Sequence, residues 1–131
     1  MLAGDIILLT LEMCTGELPL ILSLPAEQIL SIGPRLIERG AAALSVAAPR
    51  GSLQRAVSSP EWVSGRLYGP GLFPQTLEMI HNAVRLGLPL IAAGGVWAEE
   101  DVKALLLAGA QAVQIDAALW LTRPPSESGV Y

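Results

Sequence analysis

The sequence predicts an α/β fold on a parallel sheet, made of about four strand-helix units, and three observations support it. From Leu18 onward, short runs of small and β-branched residues alternate with amphipathic stretches that end in glycine, as in βα units. The strand candidates are continuous apolar runs, the pattern of strands covered on both faces. The chain has 131 residues, 52% of them hydrophobic, with only three Trp, two Tyr and one Phe, a length that supports one core and no second.

Residues 1–17 form a lead-in. Asp5 to Cys14 fits a helix or a strand, and a helix running into the first strand through Thr15-Gly16 is the preferred assignment. The first strand spans Leu18 to Leu24. A helix follows Pro25 and runs to Arg39, stopped by Gly40 as a C′ glycine, with Gly33-Pro34 expected to kink it or delay its start. The second strand is Ala42 to Ala47. Pro49 to Leu72 is polar and punctuated by Gly51, Pro60, Gly65 and Pro70, so it is expected to be a long functional loop or a disordered one. Pro74 suits a helix N1 position, and Leu77, Ile80, Val84 and Leu88 recur at helical spacing around Gly87. Pro89 to Ala93 is the third strand, followed at once by Gly94-Gly95. Glu99, Glu100 and Asp101 match the dipole of a helix over Ala98 to Ala108, and Ala112 to Ala117 is the fourth strand. Residues 18–121 thus form the folded unit, and Thr122 to Tyr131 is expected to be a flexible tail.

Composition narrows the function. The longest apolar stretches, Leu18 to Leu24 and Ala104 to Ile115, are interrupted and fall short of the ~20 residues of a membrane helix. Met1 to Thr10 has no basic n-region of a signal peptide. Cys14 is the sole cysteine, which excludes an internal disulfide and a cysteine zinc site and suits a reducing, cytoplasmic setting. Net charge is −4, and only one of eight basic residues is a lysine; the scattered arginines argue against nucleic acid and anionic membranes as partners.

Gly94-Gly95, between a strand and an acidic-capped helix, is either a phosphate cradle or a plain tight turn, and pattern alone leaves the two level. Arg50, Arg55 and Arg66 could meet an anion, with solvated loop charges as the default. Trp62 and Tyr68 on the same segment suit ring or partner binding. Trp97 would shield a phosphate or pack in the core. His81 reads as a helix-boundary residue, Cys14 as structural, Lys103 as exposed, and no nucleophile-base dyad is evident.

At this point a resemblance becomes specific. Gly65-Arg-Leu-Tyr-Gly-Pro70, Leu88-Pro-Leu-Ile-Ala-Ala-Gly-Gly-Val96, Glu100-Asp101, Leu107-Ala-Gly-Ala110 and Ala112-Val-Gln-Ile115 look like the C-terminal half of the dihydroorotate dehydrogenase family. Leu18 to Pro25 and Ile37 to Ala41 fit the same order, so the resemblance runs from about residue 18 to 120. It implies half of an FMN-dependent (β/α)8, TIM-type barrel, since a whole one takes about 250 residues. It also implies an oxidoreductase of pyrimidine biosynthesis acting on a dihydropyrimidine. On this resemblance Gly94, Gly95, Asp116 and Ala117 would face the FMN phosphate, and Gly65 and Gly69 would lie against the flavin. Three places depart from the family. Ser23 stands where a lysine is usual, Ala47-Ala48 where a polar Asn-Ser or Asn-Thr pair that contacts substrate or flavin is usual, and Asp116-Ala117 where a Gly-Thr or similar pair that donates hydrogen bonds to phosphate is usual. Losing the lysine removes a cation near the flavin, and Asp116 would repel a phosphate. The loop with the catalytic base lies in the other half of the barrel, so this chain alone is not expected to be active. An open half-barrel leaves apolar edges and an interior face, which implies a homo-oligomer or a complementary half-barrel chain. The competing expectations are a non-catalytic half-barrel or assembly subunit that has lost the cofactor, and a truncated product of a full-length relative.

Overall fold

The computed structural model describes residues 3–121, with side chains to residue 120. The expected flexible tail, residues 122–131, lies outside the described residues. Strands β1 (Ile21–Leu24), β2 (Ala43–Val46), β5 (Leu90–Ala93) and β6 (Ala112–Gln114) form a four-stranded parallel sheet in the order β1-β2-β5-β6. Strand order follows chain order, as in one arc of a barrel. Helices α2 (Ala26–Glu38), α3 (Phe73–Arg85) and α4 (Glu99–Leu107) each pack against a neighbour in the helical layer, and α1 (Ala3–Cys14) extends that layer beside α2. The fold is the expected α/β half-barrel-like arrangement.

The lead-in is helical. Leu8 and Leu11 bury one stripe of α1 against the core, whereas Ile6, Leu9 and Met13 stay exposed. Glu12 on α1 pairs with Arg39 after α2. Helix α2 neither starts late nor breaks at Gly33-Pro34. An interior proline costs about 3 kcal/mol, but α2 buries Ile29 and Leu36 completely, and each such side chain contributes about 1.5–3 kcal/mol. Gly33 is present for packing, because a Cβ there would sit 2.9 Å from Leu88 Cδ1 and 3.0 Å from Leu44 Cδ1.

Adjacent rows of the sheet show which face is covered. Leu22, Leu44 and Leu90 stand in register, as do Leu24 with Val46 and Ala92 with Val113, and all of them join the core beneath the helices. The alternate row of Ile21, Ser23, Ser45, Ile91, Ala112 and Gln114 lies outside that core. Among the described residues the helices therefore cover one face only. The expectation of strands covered on both faces holds only in part: on the face away from the helices Ser45 and Ala93, in the two central strands, are buried, whereas Ile21, Ser23, Ala112 and Gln114 on the two edge strands are exposed.

The largest correction concerns the expected loop at Pro49 to Leu72. It holds a β-hairpin, β3 (Arg50–Gln54) against β4 (Trp62–Arg66), and a 3-10 turn at Pro70–Leu72 before α3. Every residue of β3 and β4 except Gly51 is exposed, so neither strand carries an apolar alternation. Backbone pairing, a 2.8 Å bond between the Ser52 and Ser64 hydroxyls, and an Arg55–Glu61 ion pair of 3.1 Å near the tip hold it together. The fourth strand stops at Gln114, and a short helix, α5 (Ala117–Leu121), follows where strand and tail were expected. No helix of the described residues is long and apolar enough to cross a membrane.

Candidate functional site

Parallel barrels place ligands at the C-terminal ends of their strands. A cavity of about 430 Å³ opens there, within the ~300–1,000 Å³ range of small-ligand pockets. Its floor is the end of the sheet: Ser23 from β1, Val46-Ala47-Ala48 after β2, and Ala93-Gly94 after β5. The start of α2 gives Pro25 and Glu27 on one side, and the first turns of α3 give Leu72, Gln75, Thr76 and Met79 on another. Arg50 and Arg66, the base of the hairpin, close the rim. The Thr76 hydroxyl donates to the Ala93 carbonyl at 3.5 Å, joining α3 to the end of β5 beside the cavity.

The expected site residues divide. Gly94 lines the cavity, with φ at 110° and Thr76 Oγ1 only 2.9 Å from where a Cβ would stand. Ser23, Ala47 and Ala48, distant in sequence, meet it there. Gly95, with φ at 76°, does not line the cavity; a Cβ on it would fall 2.2 Å from Phe73 N and 2.6 Å from Phe73 Cα. Its lack of a side chain is explained by the close approach of the α3 backbone. Gly65 lies in β4 and Gly69 in the following loop with φ at 140°; neither lines the cavity, and a Cβ on either would meet open space.

Asp116 and Ala117 stand at the start of α5, apart from the cavity lining. The Asp116 carboxylate accepts from the Ala117 backbone N–H. At α4, the Asp101 carboxylate accepts from the N–H groups of Trp97 (2.8 Å) and Ala98 (2.9 Å), which caps the helix. Three backbone donors near these turns, those of Trp97, Ala98 and Ala117, are thus taken by the chain's own aspartates. Tested against FMN, the strand-end cavity suits a flat anionic ligand in size and in its arginine rim. Beyond β5 and β6, the N–H groups of Trp97, Ala98 and Ala117 already have carboxylate partners.

Trp97 is half-buried and lines a second cavity of about 400 Å³ with Val96, Val102, Ile115 and Leu119, mostly apolar neighbours beside one carboxylate, Glu99. Trp62 and Tyr68 are exposed, as are His81 on α3 and Cys14 at the end of α1. Lys103 pairs with Glu99 one turn away, at 2.7 Å. Among the described residues no group of three or more His, Cys, Asp or Glu could hold a metal ion. Gln75, Thr76 and Met79 are lining residues that the sequence had not singled out, because in the first two turns of an amphipathic helix they look like ordinary capping and core.

The fold and the cavity define a class: a parallel α/β, TIM-type half-barrel-like arrangement with a cavity at its strand ends. Within that class, a family model for nitronate monooxygenase matches residues 69–130. The chain is 32% identical over 120 residues to the quinone-type dihydroorotate dehydrogenase of Parvibaculum lavamentivorans, covering 84% of this chain and 34% of that protein. A dihydroorotate dehydrogenase B catalytic subunit from Petrotoga mobilis is 28% identical over 122 residues, covering 89% and 41%. A more local match, 47% over 57 residues, joins 43% of the chain to 18% of the dihydroorotate dehydrogenase A of Limosilactobacillus reuteri. The chain therefore resembles the dihydroorotate dehydrogenases, and it spans less than half the length of these relatives.

Proposed function

We propose that this chain is a dihydroorotate dehydrogenase-like half-barrel whose strand-end cavity forms part of the site for FMN and for dihydroorotate or a related dihydropyrimidine. The observation that supports it most is convergence: Ser23, Ala47, Ala48 and Gly94, which the family resemblance assigns to the flavin side, come from three strands and line one cavity. FMN, when bound, supplies the hydride acceptor. The chain's own residues bind and orient. Ala47, Ala48 and Met79 offer an apolar floor, Gly94 lets a ligand approach the backbone, and the arginine rim draws anions in. The family resemblance puts the proton-removing base in the half of the barrel that these residues do not form. The setting is cytoplasmic, and the ligand is a small molecule.

A second reading has its own support. Asp101 and Asp116 occupy backbone donors near the two turns where a phosphate cradle was expected, and Ser23 leaves the cavity without a lysine. Both features suit a non-catalytic half-barrel that has lost the cofactor. Titration of FMN with the purified chain separates the two. Saturable quenching of flavin fluorescence, weakened by filling the cavity with Ala48→Trp, is expected; absence of saturable quenching by the wild-type chain would overturn the flavin reading.

A further inference from the structure

Arg50 and Arg66 are directly opposed across the hairpin, in register as Cα partners, and both side chains line the strand-end cavity. Residues opposed in this way have Cβ atoms about 4.5–5.5 Å apart, so two guanidinium groups on one face reach the same point. Like charges in that position repel and cost stability. The repulsion is left uncompensated within the chain: among the described residues the ion pairs are Arg39–Glu12, Arg55–Glu61 and Lys103–Glu99, and neither rim arginine is in one. Glu27 also faces the cavity without pairing to either. Acid is not scarce, since the chain holds 12 Asp and Glu against 8 Lys and Arg. The same hairpin does pair its third arginine, Arg55, near the tip and away from the cavity.

We propose that Arg50 and Arg66 form a two-armed clamp for the oxyanion of a small ligand, a carboxylate or a phosphate carried on an apolar body. The anion sits at the hairpin rim, where two forked guanidinium groups donate to it, and the body rests inward on Ala47, Ala48 and Met79. The clamp rests on the preceding section only in taking this cavity as the ligand site; it does not require the ligand to be FMN.

The test titrates the purified full chain with inorganic phosphate, with dihydroorotate and with FMN by calorimetry, for the wild type, Arg50→Gln, Arg66→Gln, the double variant and an Arg55→Gln control. At least one of the three is expected to saturate the wild type. Each rim substitution is expected to weaken that binding by about tenfold, and Arg55→Gln to leave it unchanged. Preference for dihydroorotate assigns the clamp to a carboxylate, and preference for phosphate and FMN to a phosphate. Thermal melting in the same buffers controls for folding: the bound anion should raise the wild-type Tm and leave the double variant's unchanged. Equal affinity in the wild type and a folded double variant would overturn the clamp, as would failure of all three probes to bind. If phosphate or dihydroorotate binds through the arginines and FMN does not, the flavin reading fails and the clamp stands; if FMN binds irrespective of both arginines, the reverse holds.

Discussion

Two glycines that look alike in the sequence behave differently at the residue scale. Gly95 combines a left-handed φ of 76° with backbone atoms of residue 73 at 2.2 and 2.6 Å from its missing Cβ. Gly95→Ala is therefore expected to destabilise the chain by about 2–5 kcal/mol, from strained backbone and overpacking together, with or without ligand. Gly65, where a Cβ meets nothing within 4 Å, should accept alanine with a change under about 1 kcal/mol. Denaturant midpoints of the two variants measure this, and equal losses would contradict it. Gly-Gly after a strand was legible as a turn. Whether it cradled an anion or another segment was not, because that depends on the approach of Leu72-Phe73, more than twenty positions earlier in the chain.

The helices and sheet strands were legible as elements because their apolar positions face one common core. Ile29 and Leu36 on α2, Met79, Ile80 and Ala83 on α3, and the Leu44 and Leu90 rows all answer to the same surface. The hairpin was not, since Ser52, Gln54, Ser64 and Arg66 alternate with nothing buried and the polar run mimics a loop. Its stability comes from backbone pairing and contacts at its base, such as Leu67 against Gly51 and the bond from Leu67 N–H to the Pro49 carbonyl at 2.8 Å. A two-stranded ribbon with so little burial is marginal alone. Amide exchange should accordingly be at least about tenfold faster at Leu53 and Val63 than at Leu44 and Leu90; equal protection would show that the hairpin opens only with the whole domain. The cavity was legible in part: Ser23, Ala47 and Ala48 were flagged as departures, but their meeting with Arg50 and Arg66 required the hairpin.

For the whole molecule, the helical layer protects one face of the sheet and leaves the other with Ile21 55% exposed at the β1 edge. Such a chain is expected to associate, either with itself or with a complementary half-barrel. Light scattering at micromolar concentration separates the two: a mass above that of one chain, lowered by Ile21→Lys, shows self-association. A monomer at every concentration would argue against self-association and leave the complementary chain to be sought. The row facing away from the helices also bears on which partner would fit. Ser23, Ala43, Ser45, Ala93 and Ala112 are small, with Ile21, Ile91 and Gln114 the only larger members. Barrel interiors are filled to the density of organic crystals, so the volume missing on one side must be made up on the other. A second copy would bring the same small side chains and leave voids, whereas a chain offering Leu, Ile or Phe at the facing positions would fill them. The shallow relief of this face thus favours an unlike partner over a twin.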